Sequence, residues 1–234
     1  MDFDEGTLLQ RLDEVRGRIA AAAVRSGRPA ERVTLVAVTK TVAVEVVQAA
    51  VALGLADLGE SRVQEAQAKI QAVGRDRARW HLIGHLQRNK AGRAVELFDR
   101  VHGVDGADLA GALSRHAVSS GRSLPVLVEV NVSGEATKFG VAPEELEPLL
   151  ERIAALPGLR LDGLMTVGAL VERAEAARAG FARLRALRDR AERQLGRALP
   201  ELSMGMSGDF EAAVEEGATL LRLGTALLGP RSGG

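Results

Sequence analysis

The 234-residue chain predicts an α/β protein of the (β/α)8 barrel class, built as a single domain with one extra helix before the first strand. Three observations carry that expectation. Short apolar runs alternate with longer helical patterns from end to end, eight such repeats can be counted, and no stretch rich in Pro, Gly or Ser divides the chain. Unbroken β/α alternation implies parallel strands joined by crossover helices. Eight repeats in a length close to the usual barrel size of about 250 residues favour closure over an open, doubly wound sheet.

The elements follow in order. Amphipathic spacing predicts a helix over about 6–26, ahead of VTLVAVT (33–39), a continuous apolar and β-branched run of the kind buried on both faces in a parallel sheet. Helical spacing resumes at 42–54, and ADLGE (56–60) is the second strand. A helix over 61–73 leads to WHLIG (80–84), and one over 88–97 leads to RVHGVD (100–105). The helix over 107–120 precedes LPVLVEVNV (124–132), and that over 143–156 precedes LRLDGLMTV (159–167). A long Arg-rich helix over 171–196 leads to ELSMGM (201–206), and a helix over 208–217 leads to the eighth strand, TLLRLGT (219–225).

Composition removes several function classes. Acidic and basic residues balance at 31 each, so no global field draws the chain to nucleic acid or to a membrane surface. Aromatics at 3% leave no stacking platform for single strands, and the absence of cysteine excludes disulfides, thiolate metal sites and a Cys nucleophile. The opening MDFDEGTLLQ is acidic, and no apolar run reaches about 18 residues, so a cytoplasmic protein without signal peptide or membrane span is expected.

Of the 31 basic residues only Lys40, Lys69, Lys90 and Lys138 are lysines. Arginine serves wherever charge alone suffices, so each lysine poses a question of its own. Compositional chance accounts equally well for Lys69 and Lys90. Lys40 differs, because it ends the first strand, and barrels place chemistry at the C-terminal ends of strands. The seventh and eighth strand ends, where barrels hold phosphate, offer Ser207 and Gly208 opening a helix, and Gly224 with Thr225. Singly, Ser207 reads as a helix N-cap and Gly224-Thr225 as a turn. Together with an amine at another strand end, they point to a phosphorylated ligand held beside a lysine that can attack an aldehyde. Arg222 lies within the eighth strand between leucines, where a charge needs a partner: a ligand ring nitrogen, or a carboxylate such as Glu129. His81 and His85 have the spacing of a metal pair, but no Glu completes the zinc pattern, and no metal site is expected. The stretch 171–197, with eight arginines against four acids, reads as a solvated outer helix.

VAVTK (36–40), LGESRVQEAQAKI (58–70), WHLIGHLQRNK (80–90), VHGVD (101–105), VEVNVSGEATKFG (128–140), GLMTVGA (163–169) and the long ELSMGMSGDFEAAVEEGATLLRLGTALLGPR (201–231) together resemble the YggS/PROSC family of pyridoxal-phosphate homeostasis proteins. The resemblance covers about residues 7–231 in the right order. It implies a single TIM barrel like the N-terminal domain of alanine racemase, carrying pyridoxal 5'-phosphate as an aldimine on Lys40. By the same resemblance Arg222 faces the pyridine nitrogen, Ser207, Gly224 and Thr225 contact the phosphate, and Lys138 is a second lysine used in handling the cofactor. Ser61 departs from the family, which has asparagine there. The implied role is cofactor homeostasis, as a monomer that holds pyridoxal phosphate and delivers it transiently to apo-enzymes. An arginine against the ring nitrogen weakens the electron sink, and the chain contains no tyrosine to act as a racemase's second base. A weak pyridoxal-dependent racemase or other enzyme of that cofactor, and an aldolase-type barrel, are the alternatives; no catalytic residue is assigned.

Overall fold

The computed structural model describes residues 4–135, 137–168 and 174–229. The amphipathic pattern at the start of the chain forms α1 (Glu5–Arg25), capped by Asp4, whose carboxylate accepts from the amides of Gly6 and Thr7. Leu8, Leu12, Val15 and Ile19 make its buried face. There follow β1 (Thr34–Val38), α2 (Val44–Ala52), β2 (Asp57–Glu60), α3 (Val63–Val73), β3 (Arg79–Leu82), α4 (Ala91–Leu97), β4 (Arg100–Val104) and α5 (Ala107–Ser119). The second half runs β5 (Leu124–Glu129), α6 (Leu146–Ala154), β6 (Leu159–Met165), α7 (Ala174–Leu195), β7 (Glu201–Ser203), α8 (Phe210–Glu215), β8 (Leu220–Leu223) and α9 (Thr225–Leu228). The strands pair in parallel in sequence order, and β8 closes onto β1 to complete the barrel, with Val36 opposite Arg222.

All eight expected strands form, and the differences lie at their ends. The strand expected over 201–206 stops at Ser203, because Gly205 turns the chain with φ of +93° and a Cβ there would fall 2.6 Å from that of Ala213. The strand expected over 219–225 stops at Leu223, and Thr225 instead opens α9. The helix expected over 208–217 begins at Phe210 with Asp209 as its N-cap residue, so Ser207 is not the cap. Single 3-10 turns, Arg88–Lys90 and Pro143–Glu145, lead into α4 and α6. The expected long helix forms over Ala174–Leu195; residues 171–173 lie outside the described residues.

Alternation along each strand separates two apolar regions. Outward residues such as Ala37, Leu58, Trp80, Leu164, Leu202 and Leu221 pack under the helices in the main core. Val36, Leu127, Met165 and Leu220 form a small separate cluster. At Gly163 a Cβ would lie 1.9 Å from the Glu201 carbonyl oxygen, so β6 and β7 approach there only because the side chain is absent. The arginines of α7 bind its neighbours: Arg183 donates to the Val132 carbonyl, Arg185 pairs with Glu216, and Arg190 pairs with Glu147. That accounts for the Arg-rich stretch as an outer-ring helix tied to its surroundings.

Candidate functional site

Lys40 stands two residues beyond β1, half-buried, in a segment gripped on both sides. Before it, Thr39 donates its amide to the Gly59 carbonyl at 3.0 Å and its hydroxyl to Glu60 Oε1 at 2.6 Å. After it, Thr41 adopts φ of +61°, in the left-handed region that β-branched residues avoid, and donates its amide to Glu65 Oε1 at 2.5 Å. Lys69, from α3, joins these anchors. Its buried ammonium donates to the Thr39 carbonyl, to Glu60 Oε1 at 2.8 Å and to Glu65 Oε1 at 2.7 Å. Burial pushes the Glu60 carboxyl up, against the pull of Lys69 and Thr39, whereas Lys69 and the Thr41 amide hold Glu65 below its ordinary value despite partial burial. Lys69 is therefore a structural ion-pair centre beneath Lys40, a role the composition argument left open. Its Glu65–Lys69 spacing was the readable signal.

Arg222 is 5% exposed and points into the barrel from β8. Nη1 donates to Ser203 Oγ at 2.6 Å and Nη2 to the Thr166 carbonyl at 2.8 Å. Among the described residues no carboxylate makes an ion-pair contact with it. Burial lowers its pKa to about 10, with Glu129 and then Asp209 opposing the change, so it stays cationic at neutral pH. Glu129 faces the opposite pressure. Burial, reinforced by Asp105 and relieved in part by Arg222, pushes its carboxyl up to about 7. The direct pairing of Arg222 with Glu129 foreseen as one option is thus replaced by two neutral oxygens, with Glu129 acting at a distance.

Ser207, Gly224 and Thr225 come together. The Ala226 amide donates to Ser207 Oγ at 3.1 Å, stitching the segment after β7 to the start of α9, where Gly224 is the N-cap residue. Because β7, β8 and β1 are consecutive in the closed sheet, Lys40, Ser207, Arg222, Gly224 and Thr225 occupy one arc of the barrel's C-terminal mouth. Ser207→Ala, which removes one acceptor from a half-buried amide, is expected to lower stability by about 1 kcal/mol, read as a shifted urea midpoint.

The remaining candidates lie elsewhere. Lys138, beyond β5, donates to the Gly168 carbonyl at 3.1 Å and pairs with Glu135 at 2.9 Å. Ser61 follows β2, with its carbonyl oxygen 2.6 Å from the position a Cβ on Gly84 would take. His81 turns to Asp57 and His102, while His85 pairs with Asp105 at 3.2 Å and stacks on Phe139 with ring centroids 4.1 Å apart. Among the described residues no group of three or more His, Asp or Glu side chains is arranged to hold a metal ion.

The geometry has counterparts. A family model for the alanine racemase N-terminal domain matches residues 11–232. A pyridoxal phosphate homeostasis protein of Aquifex aeolicus is 43% identical over 222 residues, covering 95% of this chain and 97% of the relative. One of the same name from Pseudomonas aeruginosa is 43% identical over 228 residues, covering 97% of each chain. The solved structure of PipY from Synechococcus elongatus, with pyridoxal phosphate bound, superposes with a TM-score of 0.81 at 36% identity, covering 95% of this chain and all of that one. Likeness sustained over the whole of both partners, in sequence as well as in fold, leaves one conclusion: the chain belongs to the pyridoxal phosphate homeostasis protein family, within the larger group built on the alanine racemase N-terminal domain.

Proposed function

We propose that this chain binds pyridoxal 5'-phosphate at the C-terminal mouth of its barrel, anchored covalently through Lys40. It serves cofactor homeostasis by holding the cofactor and passing it to apo-enzymes, without turning over a substrate of its own. The carrying observation is the convergence of Lys40, Arg222, Ser207 and the Gly224–Thr225 turn on the arc made by β7, β8 and β1. When bound, the cofactor supplies an aldehyde open to an amine and a ring that can accept electrons.

The rest is done by the chain's own residues. Lys40 supplies the amine, on a segment that Lys69 and Glu65 keep from drifting. The Ser207 hydroxyl, the Gly224 backbone and Thr225 suit a phosphate. Arg222 carries a buried positive charge at the ring-nitrogen position; a cation there opposes protonation of the ring and weakens the electron sink on which carbanion chemistry depends. This fits relatives named for homeostasis rather than for a reaction. The same reading treats residues 1–234 as one cofactor-binding domain, with a core of about 7–231, acting as a cytoplasmic monomer. Among the described residues no helix is long and apolar enough to cross a membrane.

Borohydride reduction of the cofactor-loaded protein followed by peptide mass spectrometry tests the proposal. The pyridoxyl adduct is expected on Lys40, and Lys40→Ala is expected to lose the visible absorbance of the loaded protein. An adduct on another lysine, or none, overturns the assignment. Exchange of amino-acid α-protons in deuterated water would instead favour a weak racemase.

A further inference from the structure

Barrel interiors of this class are ordinarily filled with branched apolar side chains. Here a line of polar groups crosses the interior. Arg222 Nη1 meets Ser203 Oγ at 2.6 Å, Ser203 Oγ meets His102 Nδ1 at 2.8 Å, His102 Nε2 meets His81 Nδ1 at 2.9 Å, and His81 Nε2 meets Asp57 Oδ1 at 2.9 Å. All five residues are buried, and His102 and Ser203 are wholly so. Beyond Asp57 the chain ends at Arg79, which grips both carboxylate oxygens and leads out at the opposite, N-terminal mouth.

The two ends, with neutral imidazoles between them, leave a single arrangement of the protons. Burial would raise the Asp57 carboxyl, but Arg79 and then His81 hold it at about 2, so it only accepts. With neutral imidazoles, His81 must donate from Nε2 and accept at Nδ1; His102 must therefore donate from Nε2 and accept at Nδ1; and the Ser203 hydroxyl must donate to His102. Ser203 then has only a lone pair to offer Arg222, which can only donate. Burial first, then its neighbours His81, Arg222 and Arg100, holds His102 well below its ordinary pKa, which keeps it neutral. The other charges around this interior are Arg100 with Asp162 and Glu201, Arg160 with Asp162, and, facing Arg222, Glu129 and Asp209.

We propose that Ser203 and His102, backed by His81 and Asp57, are positioning residues for Arg222: a one-way hydrogen-bond chain through the barrel that turns a Ser203 lone pair, never its proton, toward the guanidinium and fixes the cation the cofactor ring would meet. The role at the ring rests on the proposed function; the chain itself does not. Reversing it requires an extra proton on His81. That change would flip the His102 tautomer and release the Ser203 hydrogen from His102, 101 residues away in sequence.

Nitrogen-15 NMR of the ligand-free full chain at neutral pH tests the assignment. Both His81 and His102 are expected as neutral Nε2–H tautomers, and the Arg222 Nη protons as separate, slowly rotating signals that merge in Ser203→Ala. An imidazolium or an Nδ1–H tautomer at His102, or Arg222 signals unchanged in Ser203→Ala, overturns the proposal. In protein loaded with pyridoxal phosphate, His102→Phe is expected to move the pH midpoint of the visible band by about one unit, a tenfold change in proton affinity. His102→Gln, which can both accept and donate, restores the midpoint; a midpoint unmoved in a folded His102→Phe counts against the proposal, with Ser203→Ala as the second variant if His102→Phe does not fold. Correct tautomers with no visible band in the wild type would sink the cofactor reading and leave the chain standing.

Discussion

Replacing Lys69 with methionine is expected to lower the unfolding free energy by about 3–5 kcal/mol at pH 8, the range found when one partner of a buried ion pair is removed. The ammonium uses all three of its donors, on the Thr39 carbonyl, Glu60 and Glu65. Methionine fills the space and leaves the Glu60 carboxylate without its cation at 0% exposure, where Oε2 already has no partner. The loss should shrink as pH falls, since a protonated Glu60 no longer needs the ammonium. Lys69→Met combined with Glu60→Gln should recover most of it. Urea unfolding at pH 5 and pH 8 reads both effects, and a single-variant loss below about 1 kcal/mol would show that solvent screens the pair.

The second large effect is a pH slope. In the folded chain the Glu129 carboxyl is raised from 4.5 to about 7, chiefly by burial, so between those values the folded state keeps a proton that the unfolded chain has released. Stability from this group is fully present below about pH 4.5 and lost as pH rises through 7, a change of roughly 3 kcal/mol. Glu129→Gln, measured without ligand, should remove most of the decline between pH 5 and pH 8. The residual slope in the variant belongs to Glu60 and Asp209, which burial also raises, opposed by His102, which burial lowers. Equal slopes in the two proteins would falsify the assignment to Glu129.

The parts of this molecule legible in the sequence are those with a local signal. Strand runs and helical spacing recur along the chain, so all eight βα units could be read, and the strand ends then placed Lys40, Ser207, Arg222, Gly224 and Thr225 on the mouth. What stayed hidden depends on closure. Lys69 meets Thr39 across 30 residues, and His102 meets Ser203 across 101, pairs that exist only once the strands are in register. Arg222 visibly needed a partner, but the answer, a hydroxyl on β7 and a carbonyl just beyond β6, has no sequence pattern. The short α9 was missed, with only Thr225 falling in the expected eighth strand, because four residues carry too little periodicity to read as a helix.

The barrel's narrowest join has a consequence of its own. β7 is the shortest strand, and it meets β8 at a single register pair, Ser203 with Leu220, supplemented by the Arg222 amide on the Gly205 carbonyl and by Ser207 reaching Ala226. The two loops proposed to hold the phosphate are the two that leave this join. A ligand seated on both would act on the ring as a clasp acts on a hoop, so that filling the site and fastening the barrel become one event, and a protein that gives its ligand away also loosens its own seam.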